Sequence, residues 1–256
     1  MKNLKYLFTA LLLLCATVAT AHDFVKGGIY YNITSTTDFT VEVTYRGSSY
    51  YQYSNEYSGN VVIPESVTYN GSTYSVTSID SYAFYNCSGL TSVVIPNSVT
   101  SIGEWAFFGC SGLTSIEILD GVTGIGEEAF RGCCDLEYIY ISSTIESIGD
   151  YAFAECNNIF DIKIGSKKAV AASENVFSSD AYNNACLYVP AGRKDFYAKT
   201  SPWSNFIIQE TDFTGIDEVK GENGKVEGVY YDLNGRAVER PANGLYIKNG
   251  KKVFVK

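Results

Sequence analysis

The residues best equipped for chemistry in this 256-residue chain are its cysteines. Cys87, Cys110, Cys133 and Cys156 recur every 23 residues, while Cys15, Cys134 and Cys186 stand outside that series. Thiolates ligate zinc and act as nucleophiles, and both tasks need partners. No two of these cysteines form a CxxC pair, and the only histidine, His22, is expected at a mobile chain start. A Ser-His-Asp or Cys-His site would have to use that histidine. Glu127-Glu128 offers paired carboxylates for acid–base work on a glycosidic bond, but the pair reads as a solvated turn. Gly124 and Gly126 belong to the same turn and not to a nucleotide fingerprint. Equal spacing points the four recurrent thiols one way, whereas a disulfide needs converging Cβ vectors. A ladder of buried thiols is therefore expected. No catalytic residue, metal or cofactor is assigned, and a hydrolase stays only as a remote alternative.

The elements that carry those cysteines repeat as well. Residues 76–167 read as four copies of one unit, beginning at Val76, Val99, Val122 and Ile145. A strict 23-residue period is the signature of a solenoid whose coils cannot bury their apolar faces alone. Each unit has three parts. The first, V-T-S-I-G, ends at Gly103, Gly126 or Gly149, which suggests a turn needing positive φ; Asp80 replaces the glycine in the first copy. The second carries Phe84, Phe107, Phe130 or Phe153, with the cysteine three residues later, as one inward-facing helical turn would place it. The third alternates with period two and reads as a strand with one buried face: Leu90, Val93, Ile95; Leu113, Ile116, Ile118; Leu136, Ile139, Ile141; Ile159, Ile162, Ile164. The fourth copy has Gly165 where the first has Pro96, so regular stacking is expected to end there.

The flanks divide accordingly. Residues 1–21 have Lys2 and Lys5, an apolar core and an Ala19-Thr20-Ala21 cleavage pattern, and read as a signal peptide. No later apolar run is long enough to span a membrane. Residues 22–75 read as an N-terminal β cap with a degenerate repeat at Val61-Val62-Ile63-Pro64, and their tyrosines (Tyr45, Tyr50, Tyr51, Tyr53, Tyr57) as strand and cap packing or as sugar-stacking platforms. Residues 168–210 read as a C-terminal repeat and cap, with a short helix over Ala191 to Lys199 and Trp203 covering the last coil. Residues 211–227 form a linker, and residues 228–256 a small antiparallel β module turning at Asn249-Gly250. Without residues 1–21, 17 of the 19 basic residues face 28 acidic ones, a net charge of −11. That balance argues against nucleic-acid and anionic-membrane binding.

The pattern V-T-S-I-G-x-x-A-F-x-G-C-S-G-L-T-S-I-x-I-P resembles the BspA-like class of bacterial leucine-rich repeats. The resemblance implies a leucine-rich repeat solenoid, with a parallel β-sheet on its concave face and short helical turns, and a secreted or cell-surface protein that adheres to host matrix proteins or other cells. The run Y-D-L-N-G-R at residues 231–236, with G-L-Y-I-K-N-G-K-K-V-F-V-K to the end, resembles the C-terminal sorting domains of Bacteroidetes type IX secretion substrates, which implies export and outer-membrane attachment.

Specificity is expected where the coils differ. Two outward strand columns vary: Ser92, Ser115, Tyr138, Asp161 and Cys186 in one, Val94, Glu117, Tyr140, Lys163 and Tyr188 in the other. Tyr138 and Tyr140 are expected as an exposed aromatic pair beside Asp161 and Lys163, a composition that binding faces use. The partner is then an extracellular protein or a cell-surface ligand, with a glycan as the alternative.

Overall fold

In the computed structural model, residues 22–52 and 55–211 are described, together with the backbone of five strands between residues 217 and 255. Each coil contributes three hydrogen-bonded sides. On the first, Ser101–Ile102, Gly124–Ile125 and Ser147–Ile148 pair in parallel and continue a ladder begun by Ser72–Ile79. On the second, Ser115–Ile118, Tyr138–Ile141, Asp161–Ile164, Cys186–Pro190 and Ile207–Thr211 form a parallel sheet in that order. Leu90–Val94 pairs in parallel with Gly59–Val62, so the degenerate repeat is a coil with a true rung.

The third side is the Ala-Phe segment. It holds no α-helix: the amides of Cys87, Cys110 and Cys133 donate to the carbonyls of Phe84, Phe107 and Phe130 at 3.1 to 3.2 Å, each closing one i→i−3 turn. The phenylalanine amides instead reach the next coil, Phe84 to Ala106, Phe107 to Ala129 and Phe130 to Ala152, at 2.7 to 2.8 Å. This side therefore also bonds coil to coil. Extended helix would have kept those amides inside its own segment.

The core follows from the repeat. Phe84, Phe107, Phe130, Phe153 and Phe177 stack with centroids 4.7 to 5.3 Å apart and planes within 11°. Tyr57 continues the column on the entry side, 4.5 Å from Phe84, with its hydroxyl donating to the Thr44 carbonyl. Beside the rings the four recurrent cysteines are buried and unpaired. The thiols of Cys110, Cys133 and Cys156 donate to the carbonyls of Phe84, Phe107 and Phe130 at 3.0 to 3.3 Å.

Three expectations need correction. Gly103, Gly126 and Gly149 do not have positive φ. A Cβ at each would lie 2.5 Å from a backbone nitrogen of the preceding coil, so close approach excludes a side chain. Asp80 fits the same position in the first copy because a cap strand precedes it there: its amide bonds the Val43 carbonyl, and its carboxylate accepts from Thr44. Positive φ falls two residues later, at Tyr82, Trp105, Glu128 and Tyr151. Stacking also does not stop at the fourth copy, since Asp161–Ile164 carries two further parallel rungs. Finally, His22 is not a mobile terminus; it packs edge-on against Tyr30, with centroids 4.7 Å apart.

The two ends are closed differently. At the entry, Phe24–Lys26, Ile29–Ser35 and Thr40–Thr44 form an antiparallel meander, and its last strand pairs in parallel with Ser72–Ile79. At the exit, the helix Ser179–Asn184, the helix Lys194–Tyr197 and a 3-10 turn at Trp203–Asn205 cover the last coil. Trp203 is fully buried there and its indole N–H donates to the Val170 carbonyl at 2.9 Å. Toward the C-terminus, Gly244–Lys248 pairs antiparallel with Lys251–Val255. Residues 1–21, Tyr53, most of the linker and the Asn249-Gly250 turn of the C-terminal module lie outside the described residues.

Candidate binding face

The second side of the coils gathers the sequence-predicted residues. Register places Ser115, Tyr138, Asp161 and Cys186 in one line across the strands, and Glu117, Tyr140, Lys163 and Tyr188 in the next. Ser92 and Val94 lie on the entry rung, opposite Asn60 and Val62. Inward neighbours such as Ile139, Ile162 and Leu187 are fully buried, so the alternation leaves both lines facing out.

The face has two halves. Ser92 and Val94 lie on a stretch without charge, where Val62 and Val94 are 65% and 44% exposed. The other half is aromatic and charged. Lys163 places its Nζ 5.4 Å from the Tyr138 ring centroid and 5.8 Å from that of Tyr188, within cation–π range of both. Tyr138 and Tyr140, expected as exposed, are half-buried, because strands roughly 4.8 Å apart let long side chains on adjacent rungs cover one another. Burial, and next the Glu117 carboxylate, pushes the Tyr138 phenol well above its usual range. Burial raises Tyr140 too, followed by Asp120 and Glu117. Tyr188 is pushed up to about 12 by burial, then by Asp161. All three are uncharged phenols at neutral pH, able to donate a hydrogen bond.

The third side carries a cluster that the sequence reading passed over. Tyr50 stacks on Tyr82 at 3.9 Å, Tyr85 on Phe108 at 5.2 Å, and Trp105 on Phe108 at 4.9 Å. Tyr82 and Trp105 hold φ of 63° and 58°, where a bulky side chain is an outlier costing about 1–2 kcal/mol. The signal was available: outward positions of the Ala-Phe segment vary from coil to coil as the strand columns do. One coil on, Glu128 and Arg131 replace the rings. Glu128, expected in a solvated turn, is only 8% exposed and pairs with Arg131 at 3.0 Å, while Arg131 also reaches Glu155 at 2.6 Å. Glu128 thus shares the Arg131 guanidinium with Glu155 and does not stand free in a solvated turn. An open cleft of about 390 Å³ lies beyond Arg131, lined in part by Tyr151, Glu155, Glu174 and Tyr182. Among the described residues, no cluster of His, Cys, Asp and Glu is arranged to hold a metal ion, and no helix is long and apolar enough to cross a membrane.

Residues 77–196 match the sequence pattern of the BspA type leucine rich repeat region, in six copies. No curated protein matches the chain. Among solved structures it is similar to a leucine-rich repeat protein from Bacteroides ovatus, at 31% identity over 65% of this chain and 47% of that one, with a TM-score of 0.47. A leucine-rich repeat protein from Bacteroides capillosus is 28% identical over 55% of this chain and 96% of that one, with a TM-score of 0.46. The leucine-rich repeat protein of T. pallidum is 18% identical over 56% and 71%, with a TM-score of 0.43. The chain spans about half the length of the Bacteroides ovatus protein. The fold that the repeated units build is a leucine-rich repeat solenoid.

Proposed function

We propose that this chain is an adhesion protein, exported to the cell surface or beyond, that binds an extracellular protein through the outward face of its long-strand sheet. The observation that carries this reading is the contrast between the two faces of one sheet. Inward positions keep the same few apolar residue types from coil to coil, while outward ones assemble Tyr138, Tyr140, Tyr188 and Lys163 beside Glu117 and Asp161. Half-buried aromatic rings ringed by charge lose little conformational freedom on binding and present apolar area with polar tips. Export is supported by the signal-peptide pattern of residues 1–21, and surface attachment by the C-terminal resemblance.

The test is a panel of extracellular matrix proteins presented to the chain lacking residues 1–21. A bound member should lose at least about tenfold in affinity with Tyr138→Ala/Tyr140→Ala, as hot-spot truncation does, while the melting curve still shows a folded solenoid. A bound member indifferent to that double substitution rules out this face.

A second reading, a glycan-binding surface module, is favoured by the aromatic cluster of Tyr50, Tyr82, Tyr85, Trp105 and Phe108, which offers stacked rings and phenol hydroxyls. A glycan array probed with wild type and with Trp105→Ala separates the two readings.

A further inference from the structure

Lys163 occupies the centre of the long-strand face in an arrangement that its own strand does not require. Its ammonium sits between two rings from different rungs, Tyr138 on the preceding strand and Tyr188 on the following one, at 5.4 and 5.8 Å. Two π systems converging on one ammonium make a cation seat. Two carboxylates share this face. Asp161 stands two residues back on the same strand and across from Tyr138, and Glu117 stands across from Tyr140 on the rung before. The rings add no charge of their own, because a phenol is already protonated at neutral pH and burial raises Tyr138 and Tyr188 further. The surroundings of the seat are thus acidic, as is the chain, with 28 acidic residues against 19 basic.

We propose that this face takes a basic, extended segment of a partner protein, and that a lysine or arginine of that segment replaces Lys163 between Tyr138 and Tyr188. The inference rests on the strand-face reading above and adds the charge of the partner. Lys163 is a resident stand-in: a compact ammonium on a flexible four-carbon stem can swing into water and leave the rings to another cation. An arginine fits as well, since its planar guanidinium stacks on aromatic faces and engages carboxylates in pairs. An acidic segment meets the opposite situation, repelled by Glu117 and Asp161 and offered an ammonium that is already engaged.

The experiment measures labelled octalysine and octaglutamate against the chain lacking residues 1–21, by fluorescence polarisation at low and at physiological salt. Octalysine is expected to bind and octaglutamate is not. Lys163→Gln should tighten octalysine by about two- to fivefold, because the internal competitor is gone. Lys168→Gln makes the same change of charge away from the seat and should tighten it less. Glu117→Gln with Asp161→Asn should weaken it by a similar factor. These side chains point outward, and thermal melts verify the fold of each variant. Weaker or unchanged octalysine binding in Lys163→Gln overturns the proposal, as does an equal gain in Lys168→Gln or a preference for octaglutamate. A matrix protein lost in Tyr138→Ala/Tyr140→Ala, with no octalysine binding, sinks this inference and leaves the adhesive reading standing. A matrix protein unaffected by that double substitution sinks the adhesive reading itself.

Discussion

At the residue scale, a missing side chain decides how closely two coils approach. Gly126 packs its Cα against the backbone of Gly103 and Glu104, and an added Cβ would meet backbone atoms at 2.5 to 2.8 Å. Backbone cannot rotate away as a side chain can, so Gly126→Ala is expected to cost about 1–3 kcal/mol, the usual toll of overpacking, read as a lower midpoint in chemical denaturation. The sequence marks this glycine but not its reason, because positive φ and close approach leave the same residue type behind. Chemistry at the thiols was easier to read. Equal spacing implied a buried ladder, and the four ladder thiols are buried and unpaired. Burial pushes Cys87 up to about 11 and Cys110 and Cys133 higher than usual, so few thiolates exist at neutral pH. A disulfide-exchange reagent on the native protein should modify exposed Cys134 and half-buried Cys186, and reach the ladder thiols only after denaturation.

At the element scale, the strands were legible and the turns were not. Period two marks a half-buried strand directly, and the residues read as an N-terminal β cap hold such strands at Ile29–Ser35 and Thr40–Thr44. A three-residue spacing from Phe to Cys fits a single i→i−3 turn as well as a longer helix, and the third side closes it as one isolated turn per coil. Exposure was also misjudged on the strand face. Columns follow from register, whereas the covering of Tyr138 and Tyr140 depends on the length of neighbouring side chains. The closing elements carry a pH prediction. Tyr31 in the entry meander and Tyr197 in the exit helix are both pushed up to about 12 by burial. Their folded values stand above the unfolded value of about 10, so the stabilisation is complete below pH 10 and is lost as pH climbs from there to about 12. Equilibrium denaturation should show stability falling progressively above about pH 8.5, first as the buried ladder thiols and then, above about pH 10, as these phenols lose their protons.

At the scale of the whole molecule, the ring column ties both caps to the coils. It runs from Tyr57 through five phenylalanines to the T-shaped contact of Phe177 with Trp203 at 5.9 Å. Residues 168–210 read as a further repeat and cap, yet Gly165 in place of proline points to an end of regular stacking, which Cys186–Pro190 and Ile207–Thr211 instead continue. A rung needs only a free backbone edge and inward apolar residues, and Ile162 and Ile164 supply those. Phe177 lies 24 residues after Phe153, one more than the period, so a strict repeat search passes over it. Truncating a ring in mid-column should be felt in both directions: Phe130→Ala is expected to cost about 3–5 kcal/mol in thermal unfolding, and a melting point equal to wild type would contradict the stacked column.

Stability can verify the solenoid, but the central claim is that one side of it binds. The most direct measurement compares two variants against the same matrix-protein ligand, Tyr138→Ala/Tyr188→Ala on the strand face and Trp105→Ala/Phe108→Ala on the third side, each verified as folded by its melt. The first is expected to lose at least about tenfold in affinity while the second stays within about twofold of wild type. Full affinity in the first, or a loss confined to the second, would contradict that claim.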